Sequence, residues 1–329
     1  MKLLVTGGLG FIGSNFILNI LKKYPDFDIT NIDAELTGSN HNYLSNLENS
    51  QNYFFVKGSI TNKKLMTKLI KDCDVIVNFA AESHVDRSIS NAKPFIDSNI
   101  LGVFNILEIL KKEKKRLVHI STDEVFGSLK TGSANEEYRL NPSSPYSASK
   151  ASAELLINSY IRTFNIDSVI TRCTNNYGPH QYPEKLIPKV IILAEQGKKI
   201  PVYGTGKNIR DWIYVEDHCA SIWKIILNGK RGNSYNISGK NELNNISIVK
   251  QILKIMDKST DLITYTKDRP GHDFRYSLDS SKIEKQLKWK RKYSFQKGLE
   301  ETIDWYLKNQ NWSNNISKKV ISTYSWKTR

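Results

Sequence analysis

Lys2-Leu3-Leu4-Val5-Thr6-Gly7-Gly8-Leu9-Gly10-Phe11-Ile12-Gly13 stands at the start of the chain. The apolar run Leu3-Leu4-Val5 reads as a buried strand, and Phe11–Lys22 then places apolar residues at helical spacing. Between them Gly7 allows a sharp turn, Gly10 lets backbone approach a ligand, and Gly13 lets helix and strand pack closely. A helix entered this way offers free N–H groups and a partial positive charge, which suit a pyrophosphate. Asp33 follows 20 residues after Gly13, at the end of a second apolar run, Ile29-Thr30-Asn31-Ile32. A carboxylate there accepts hydrogen bonds from an adenosine ribose and repels a 2′-phosphate. Strand, turn, helix and acid together predict a dinucleotide site that takes NAD rather than NADP.

Working outward, Tyr53-Phe54-Phe55-Val56, Val75-Ile76-Val77 and Leu117-Val118-His119-Ile120 continue the series of buried strands. Lys63–Lys71 and Pro94–Leu110 are the helices between them, and Ser144–Phe164 leads to a sixth strand, Ser168-Val169-Ile170-Thr171. Strands alternating with helices give βαβ units and a parallel sheet covered on both faces. From about Asn175 the texture changes to Gly, Pro and aromatic residues with short strands, although Val215–Leu227, Ile246–Met256 and Ser294–Lys308 still look helical. The fold class is therefore α/β: a Rossmann-type, doubly wound parallel sheet with a smaller α+β substrate-binding lobe. The expected division is 1–174 for the dinucleotide-binding domain, with 207–228 returning to it, 175–312 for the second lobe, and a polar tail at 313–329. Ligands of open α/β sheets lie beyond the carboxyl ends of the strands, so the substrate is expected between the lobes.

The bulk properties restrict the function further. No apolar run in the 329 residues approaches the roughly 18 needed to span a membrane. The start lacks the features of a signal peptide, and Cys73, Cys173 and Cys219 have no metal or redox spacing. A cytoplasmic protein without a metal is expected. The net charge of +15 is spread over scattered lysines with no organising nucleic-acid motif. It suits attraction of an anionic small substrate, not binding of nucleic acid.

Tyr146-Ser147-Ala148-Ser149-Lys150 follows the turn Pro142-Ser143-Ser144-Pro145, and a spacing of four puts the phenol and the amine on one helix face. An ammonium and a nicotinamide cation nearby can lower the phenol's pKa until it accepts a proton from a sugar hydroxyl. The same spacing occurs at Tyr53/Lys57, Tyr203/Lys207 and Tyr293/Lys297, so context singles out Tyr146. The fifth strand ends in Ser121-Thr122, hydroxyls able to hold the reacting oxygen, and Asp123-Glu124 come next. Two acids at a strand's carboxyl end point to an acid and a base with separated pKa values. Alone, they are equally consistent with Asp123 capping a turn and Glu124 facing solvent.

From Lys2 to about Trp312 the chain resembles the extended short-chain dehydrogenases/reductases, and among them the dTDP-glucose 4,6-dehydratases. The resemblance is carried by Ala80-Ala81-Glu82-Ser83-His84-Val85-Asp86, Ser121–Gly127, Ser144–Lys150, Asn175-Asn176-Tyr177-Gly178-Pro179, Pro183–Pro188, Arg210–His218 and Arg269-Pro270-Gly271-His272-Asp273. It implies that Tyr146 deprotonates the hydroxyl on glucose carbon 4 as hydride leaves for NAD, with Lys150 and Thr122 assisting. Glu124 then removes the proton on carbon 5, Asp123 protonates the leaving hydroxyl on carbon 6, and hydride returns to carbon 6. It further implies cofactor contacts from Gly7, Gly10, Phe11, Ile12, Gly13, Asp33, Ser59, Ile60, Ala80, Ala81, Asn99, Tyr146 and Lys150. For the nucleotide sugar it implies Arg210 and Arg269 on the phosphates, with Asn175, Asn245 and His272. Glu184, Lys185 and Leu186 would line the same pocket, and Ser83 and His84 would lie near the sugar or nicotinamide. Asp86, Glu216 and Asp217 are left as structural.

Members commonly carry Gly-Asp-Ile after the third strand, where this chain has Gly58-Ser59-Ile60, so cofactor affinity is expected to be altered. A homodimer through the 94–110 and 144–164 helices is also implied, though the same apolar faces suit a core. Nucleotide-sugar 4-epimerases and uronate decarboxylases oxidise carbon 4 alike but generally lack the Thr-Asp-Glu triplet. A UDP-glucose dehydratase differs only in the base, and no single residue separates the two.

Overall fold

The computed structural model describes residues 1–310, and the tail expected at 313–329 lies outside the described residues. The chain begins with β1 (Lys2–Thr6), α1 (Phe11–Lys23), β2 (Asp28–Asp33), β3 (Tyr53–Lys57), α2 (Lys63–Lys71) and β4 (Val75–Asn78). It continues through α3 (Val85–Ser90), a short α4 (Lys93–Phe95), a π-helical turn (Ile96–Leu101), α5 (Gly102–Leu110), β5 (Arg116–Thr122), α6 (Pro145–Phe164) and β6 (Ser168–Cys173). Seven strands make one parallel sheet in the order β10-β6-β5-β4-β1-β2-β3, with β10 at Ser234–Ile237.

The strands are apolar on both faces because both faces are covered. Leu3, Val5, Val75, Val77 and Val118 pack on one side with Phe16 and Ile17 of α1. Leu4, Ile76 and Leu117, the alternate residues, pack on the other with Met66, Val103, Ile106 and Ile157 from the helices. Each such side chain, fully removed from water, contributes about 1.5–3 kcal/mol.

Neighbours β1 and β4 run to opposite sides of the sheet in chain order, and their carboxyl ends therefore open a crevice. The turn after β1, the segment after β4 and the end of β5 line it side by side. α6 reaches the same place through its cap: Ser144 accepts from the Ser147 N–H, the Ser147 hydroxyl accepts from the Ser144 N–H, and Pro145 opens the helix. Tyr146 thereby stands in the first turn.

Where one continuous helix was expected at 94–110, the chain makes α4, a π-helical turn and α5. The wider turn carries Asn99 inward, where it exchanges hydrogen bonds with both backbone groups of Glu82 and donates to Ser149.

The remaining elements are β7 (Asn175–Tyr177), α7 (Leu186–Glu195), β8 (Ile200–Tyr203), β9 (Ile209–Tyr214), α8 (Val215–Asn228), β10, β11 (Glu242–Asn244), α9 (Asn245–Ile255), β12 (Ile263–Thr266), α10 (Ser281–Leu287) and α11 (Phe295–Lys308). β11, β9 and β7 form a three-stranded sheet, and β12 pairs with β8. Tyr177, Trp212 and Tyr214 join α7, α9 and α11 in a separate core. Of the stretch 207–228, α8 packs with the large sheet, with Ile222 and Trp223 in its core. β9 instead stays in the small sheet, because its edges pair with β7 and β11. β10 crosses back to extend the large sheet beside β6. Among the described residues no helix is long and apolar enough to cross a membrane.

Candidate active site

The glycine turn is held by backbone and by its own acid. Gly7 has φ +72°, and a Cβ there would come within 2.7 Å of the Ala80 nitrogen. At Gly13 a Cβ would meet the Gly7 carbonyl oxygen at 2.5 Å. The Gly7 N–H donates to Ile32 O at 2.8 Å, the Gly8 N–H to Asn31 Oδ1 at 3.0 Å and the Leu9 N–H to Asp33 Oδ2 at 3.0 Å. Asp33 Oδ1 accepts from the Glu35 N–H and from Ser39 Oγ, each at 2.8 Å. A carboxylate has roughly four acceptor positions, so Asp33 keeps capacity for a ribose hydroxyl while it grips the turn. Gly10 caps α1 without a side chain in the way, and no acid occupies the first turn. That end is open to a pyrophosphate.

A cleft of about 520 Å³ runs from this turn to the end of β5 and on to the start of α7. Of the predicted cofactor residues it is lined by Gly7, Gly10, Phe11, Ile12, Gly13, Asp33, Ser59, Ile60, Ala80 and Ala81. Thr122, Asp123, Glu124, Tyr146 and Lys150 line the same cleft, as do Ser83, Asn175, Glu184 and Lys185. Asn99 does not; its amide is spent on Glu82 and Ser149, so it shapes the wall from behind. Ser59 bonds to Thr61 Oγ1 at 2.8 Å and presents a hydroxyl without charge.

At the reacting end, the Thr122 hydroxyl accepts from the Glu124 N–H at 3.3 Å and donates to Asp123 Oδ1 at 3.1 Å. It also stands near enough to the Tyr146 hydroxyl to favour the ionised phenol. Asp123 is 3% exposed, and its second oxygen is buried with no partner among the described residues. Burial, then the neighbouring Glu124 carboxylate, pushes the Asp123 pKa well above the usual range. Glu124 is also raised by burial, but Arg269, Lys185 and Arg210 pull it back down. One carboxyl is thus biased to hold its proton and its neighbour less so, the division that acid–base work requires.

Lys150 does not meet the phenol in the way its spacing indicated. Its Nζ donates to Ile120 O at 2.6 Å and lies 3.5 Å from His119 Nε2. Burial lowers its pKa to about 8. The Tyr146 phenol is driven well above its ordinary value by burial and the Glu124 charge, with Thr122 acting the other way. The protein's own groups therefore leave Tyr146 protonated, and lowering its pKa requires a further cation at its side.

Beyond the acids lies a set of paired charges. Arg87 donates to both oxygens of Glu184 at 2.8 and 3.0 Å, and Lys185 Nζ donates to Ser83 O at 3.0 Å. Arg269 binds Asp86 at 2.9 Å, and Tyr203 donates to the other Asp86 oxygen at 2.8 Å. Arg210 lies over the Tyr276 ring at 4.2 Å and donates to the carbonyls of Ile209, Asp273 and Phe274. It is thus a fixed positive wall rather than a free fork. His84 is buried with Nδ1 unpartnered among the described residues, and burial followed by Lys185 lowers its pKa. His272 bonds Asp268 at 2.6 Å and is held neutral by burial, with a pKa of about 4. Asn245 opens α9 with its Oδ1 buried and unpartnered among the described residues. Leu186 packs against the second core instead of lining the cleft, because it starts α7. Glu216 and Asp217 hold the 292–293 segment, the former through the Tyr293 hydroxyl and the latter through two backbone N–H groups.

Three residues at this site went unread in the sequence. Arg87 shares α3 with Asp86, so its place beside His84 was within reach of helical spacing. Cys173 lines the cleft at the end of β6 and His119 lies beneath it, and nothing in the flanking residues marks either.

Comparison with known proteins agrees with this geometry. The family model described as GDP-mannose 4,6 dehydratase matches residues 4–302. A dTDP-glucose 4,6-dehydratase of Salmonella typhimurium is 42% identical over a 353-residue alignment covering 98% of each chain. The crystal structure of dTDP-glucose 4,6-dehydratase from Bacillus anthracis in complex with NAD superposes with a TM-score of 0.90 at 46% identity, covering 95% of this chain and 98% of that one. That of the Streptomyces venezuelae dTDP-glucose 4,6-dehydratase, with NAD and TYD bound, gives 0.93 at 41% identity over 95% and 98%. A strand-turn-helix gripped by the acid at the end of β2, two acids at the end of β5 and likeness along nearly the whole chain have one reading: the chain belongs to the dTDP-glucose 4,6-dehydratases, within the wider GDP-mannose 4,6 dehydratase family.

Proposed function

We propose that the chain dehydrates dTDP-glucose to its 4-keto-6-deoxy derivative, a step of deoxysugar biosynthesis, with NAD as a cofactor regenerated in each cycle. The observation that carries this reading is the pair Asp123 and Glu124, set in one cleft with Tyr146 and biased toward different protonation states. A simple oxidation or an epimerisation at carbon 4 has no use for a second acid.

Gly7, Gly10, Gly13, Asp33, Ala80 and Ala81 fit NAD, since the cleft leads from the open end of α1 past Asp33 to Tyr146. NAD, when bound, takes the hydride from carbon 4, returns it to carbon 6 and brings a positive ring to the cleft. Tyr146 accepts the proton of the carbon-4 hydroxyl, with Thr122 close to the phenol. The new ketone acidifies the proton on carbon 5, and Glu124 removes it. Asp123 gives its proton to the hydroxyl on carbon 6, which leaves as water. Glu124 then returns its proton to carbon 5 as carbon 6 is reduced. At the close Tyr146 holds a proton that Asp123 has lost, and Thr122, bonded to Asp123 and close to the phenol, is placed to pass it across.

Arg269, Lys185, Arg87 and Arg210 are proposed to surround the diphosphate and sugar, with Asn175, Asn245, Glu184, Ser83, His84 and His272 as neighbours. A homodimer is proposed from the exposed apolar side chains of Ile96, Leu101 and Phe104 before and on α5, and of Leu155 and Phe164 on α6. A cytoplasmic location is proposed on the three buried, unpaired cysteines.

The test is direct. Purified protein given dTDP-glucose, without added NADH, should form a product with the alkaline ultraviolet absorbance of a 4-keto-6-deoxy sugar. An unchanged sugar, or its carbon-4 epimer, would overturn the reading. Parallel rates with UDP-glucose decide the base, since one methyl is worth only about 1–3 kcal/mol in a pocket.

A further inference from the structure

Beneath the reacting end runs a row of polar side chains to which the mechanism gives no role. Thr6 Oγ1 lies 2.6 Å from Asn78 Oδ1, Asn78 Nδ2 lies 3.0 Å from His119 Nδ1, and His119 Nε2 lies 3.5 Å from Lys150 Nζ. The row crosses β1, β4 and β5 and ends on α6. His119, Thr6 and Asn78 are at most 1% exposed, so their polar atoms are closed off from bulk solvent. The Thr6 hydroxyl also accepts the N–H of Ala80 at 3.3 Å, which ties the row to the cofactor wall.

Two proton arrangements fit these distances, and they differ by a turn of the Asn78 amide and by the His119 tautomer. In the first, with the amide turned so that its oxygen faces Nδ1, the Lys150 ammonium donates to Nε2, Nδ1–H donates to the Asn78 carboxamide oxygen, and the Asn78 NH₂ donates to Thr6. In the second, the Asn78 NH₂ donates to Nδ1 and Nε2–H points at Nζ, which can accept only as a neutral amine. The protonation of Lys150, the tautomer of His119 and the direction of the Asn78 amide are therefore one variable.

Glu154, on the same helix as Lys150, favours the charged amine through space but makes its own hydrogen bonds to the buried Arg172, at 2.7 Å. Cys173 faces Lys150 from β6 with a thiol that burial raises to about 12, hence neutral, and Tyr146 stands one turn earlier on α6. His119 from β5 is its sole side-chain hydrogen-bond partner among the described residues, the other acceptor being the Ile120 carbonyl.

We propose that His119 is a positioning residue for Lys150: by accepting one ammonium N–H and relaying the bond to Asn78 and Thr6, it helps keep Lys150 charged one helical turn after Tyr146. The assignment rests on the proposed Tyr146–Lys150 reading and adds to it a residue that never touches substrate.

Two variants of similar size separate this from a merely structural role. His119→Gln keeps an acceptor at the Nε2 position and still reaches Lys150. His119→Asn reaches only Asn78 and strands the ammonium. Single-turnover reduction of bound NAD, followed against pH, reports carbon-4 oxidation without involving Asp123 or Glu124. His119→Gln should keep the wild-type profile. His119→Asn should be about tenfold slower at pH 8, with its alkaline fall displaced by roughly one pH unit toward acid. A wild-type profile in His119→Asn, or an equal shift in both variants, overturns the proposal. Retained carbon-4 oxidation in Lys150→Met would instead overturn the Tyr146–Lys150 reading beneath it.

A measurement on the wild-type protein needs neither variant to fold well. In ¹⁵N-histidine-labelled holoenzyme, His119 should show the Nδ1–H tautomer at neutral pH and change to Nε2–H as Lys150 loses its proton, near pH 8. The same tautomer at both ends of the titration overturns the proposal.

Discussion

At the glycine end of the cleft, Asp33 binds the Leu9 and Glu35 N–H groups and the Ser39 hydroxyl, whereas at the far end Arg87, Arg269 and Lys185 are bound to Glu184, Asp86 and the Ser83 carbonyl. The first set of bonds fixes backbone, and a ligand adds to it without breaking any. The second set joins two arginines to carboxylates and a lysine to a carbonyl, and an incoming anion would have to compete for them. Between the two stand Asp123 and Glu124, whose protons depend on burial and on the cations of the far end. The contrast teaches that rigid positioning in this molecule comes from short turns, while its concentrated charge comes from residues brought together over long chain separations.

The largest expected effect lies at the junction. Glu124→Gln should lower dehydration by about 10²–10⁴-fold while hydride exchange at carbon 4 persists. Isotope exchange at carbon 4, measured beside product formation, checks both halves, and wild-type dehydration in this variant would remove Glu124 as the base. Next is the rigid end. Gly13→Val forces a Cβ against the Gly7 carbonyl, and NAD binding should weaken on the order of a hundredfold, as displacing a binding group by about 1 Å does. Cofactor carried through purification is the readout, and full retention would show that the turn can yield.

A smaller effect is expected where pairs can be exchanged. Arg269→Met should raise KM for the nucleotide sugar about tenfold and change kcat much less. Among the described residues it also leaves the buried Asp86 with Tyr203 alone as its side-chain donor, so Tm should fall as well. If kcat fell and KM held, Arg269 would act on the acids and not on the phosphates.

The smallest effect is on stability. The Asp123 pKa is raised in the folded state, so the folded protein binds that proton more tightly than the unfolded chain. Its contribution is fully present below the unfolded carboxyl pKa of about 3.9 and is lost as pH rises through the folded value. Asp123→Asn should therefore match wild type in Tm near pH 4 and exceed it by a few degrees at pH 8. A Tm difference independent of pH would show that the site does not hold Asp123 protonated.

Much of this was legible in residue order. Leu3, Leu4 and Val5 alternate between two cores as continuous apolar runs predict, and Ser144 with Ser147 caps α6 where the turn residues cluster. The carboxyl ends of successive strands gather Gly7, Thr122, Asp123 and Glu124 into one cleft, as strand–helix alternation requires. The π-helical turn was not legible, because Ile96–Leu101 suits an α-helix and only the bonds of Asn99 to Glu82 and Ser149 widen it. Nor was the turning of Arg210 onto carbonyls and the Tyr276 ring, which depends on how the 273–276 segment passes it.

Residue order alone determined the parallel sheet, the glycine turn, the acid that grips it and the run Thr122-Asp123-Glu124, since each depends on periodicity or on neighbours a few positions away. The tertiary structure decided which charges meet: Arg269 finds Asp86 across 183 positions, and His119, an ordinary strand residue by its spacing, is placed under Lys150 by the packing of α6 on β5. Contacts of that kind obey no period, because they are set by the docking of whole elements whose side chains carry no record of their partners.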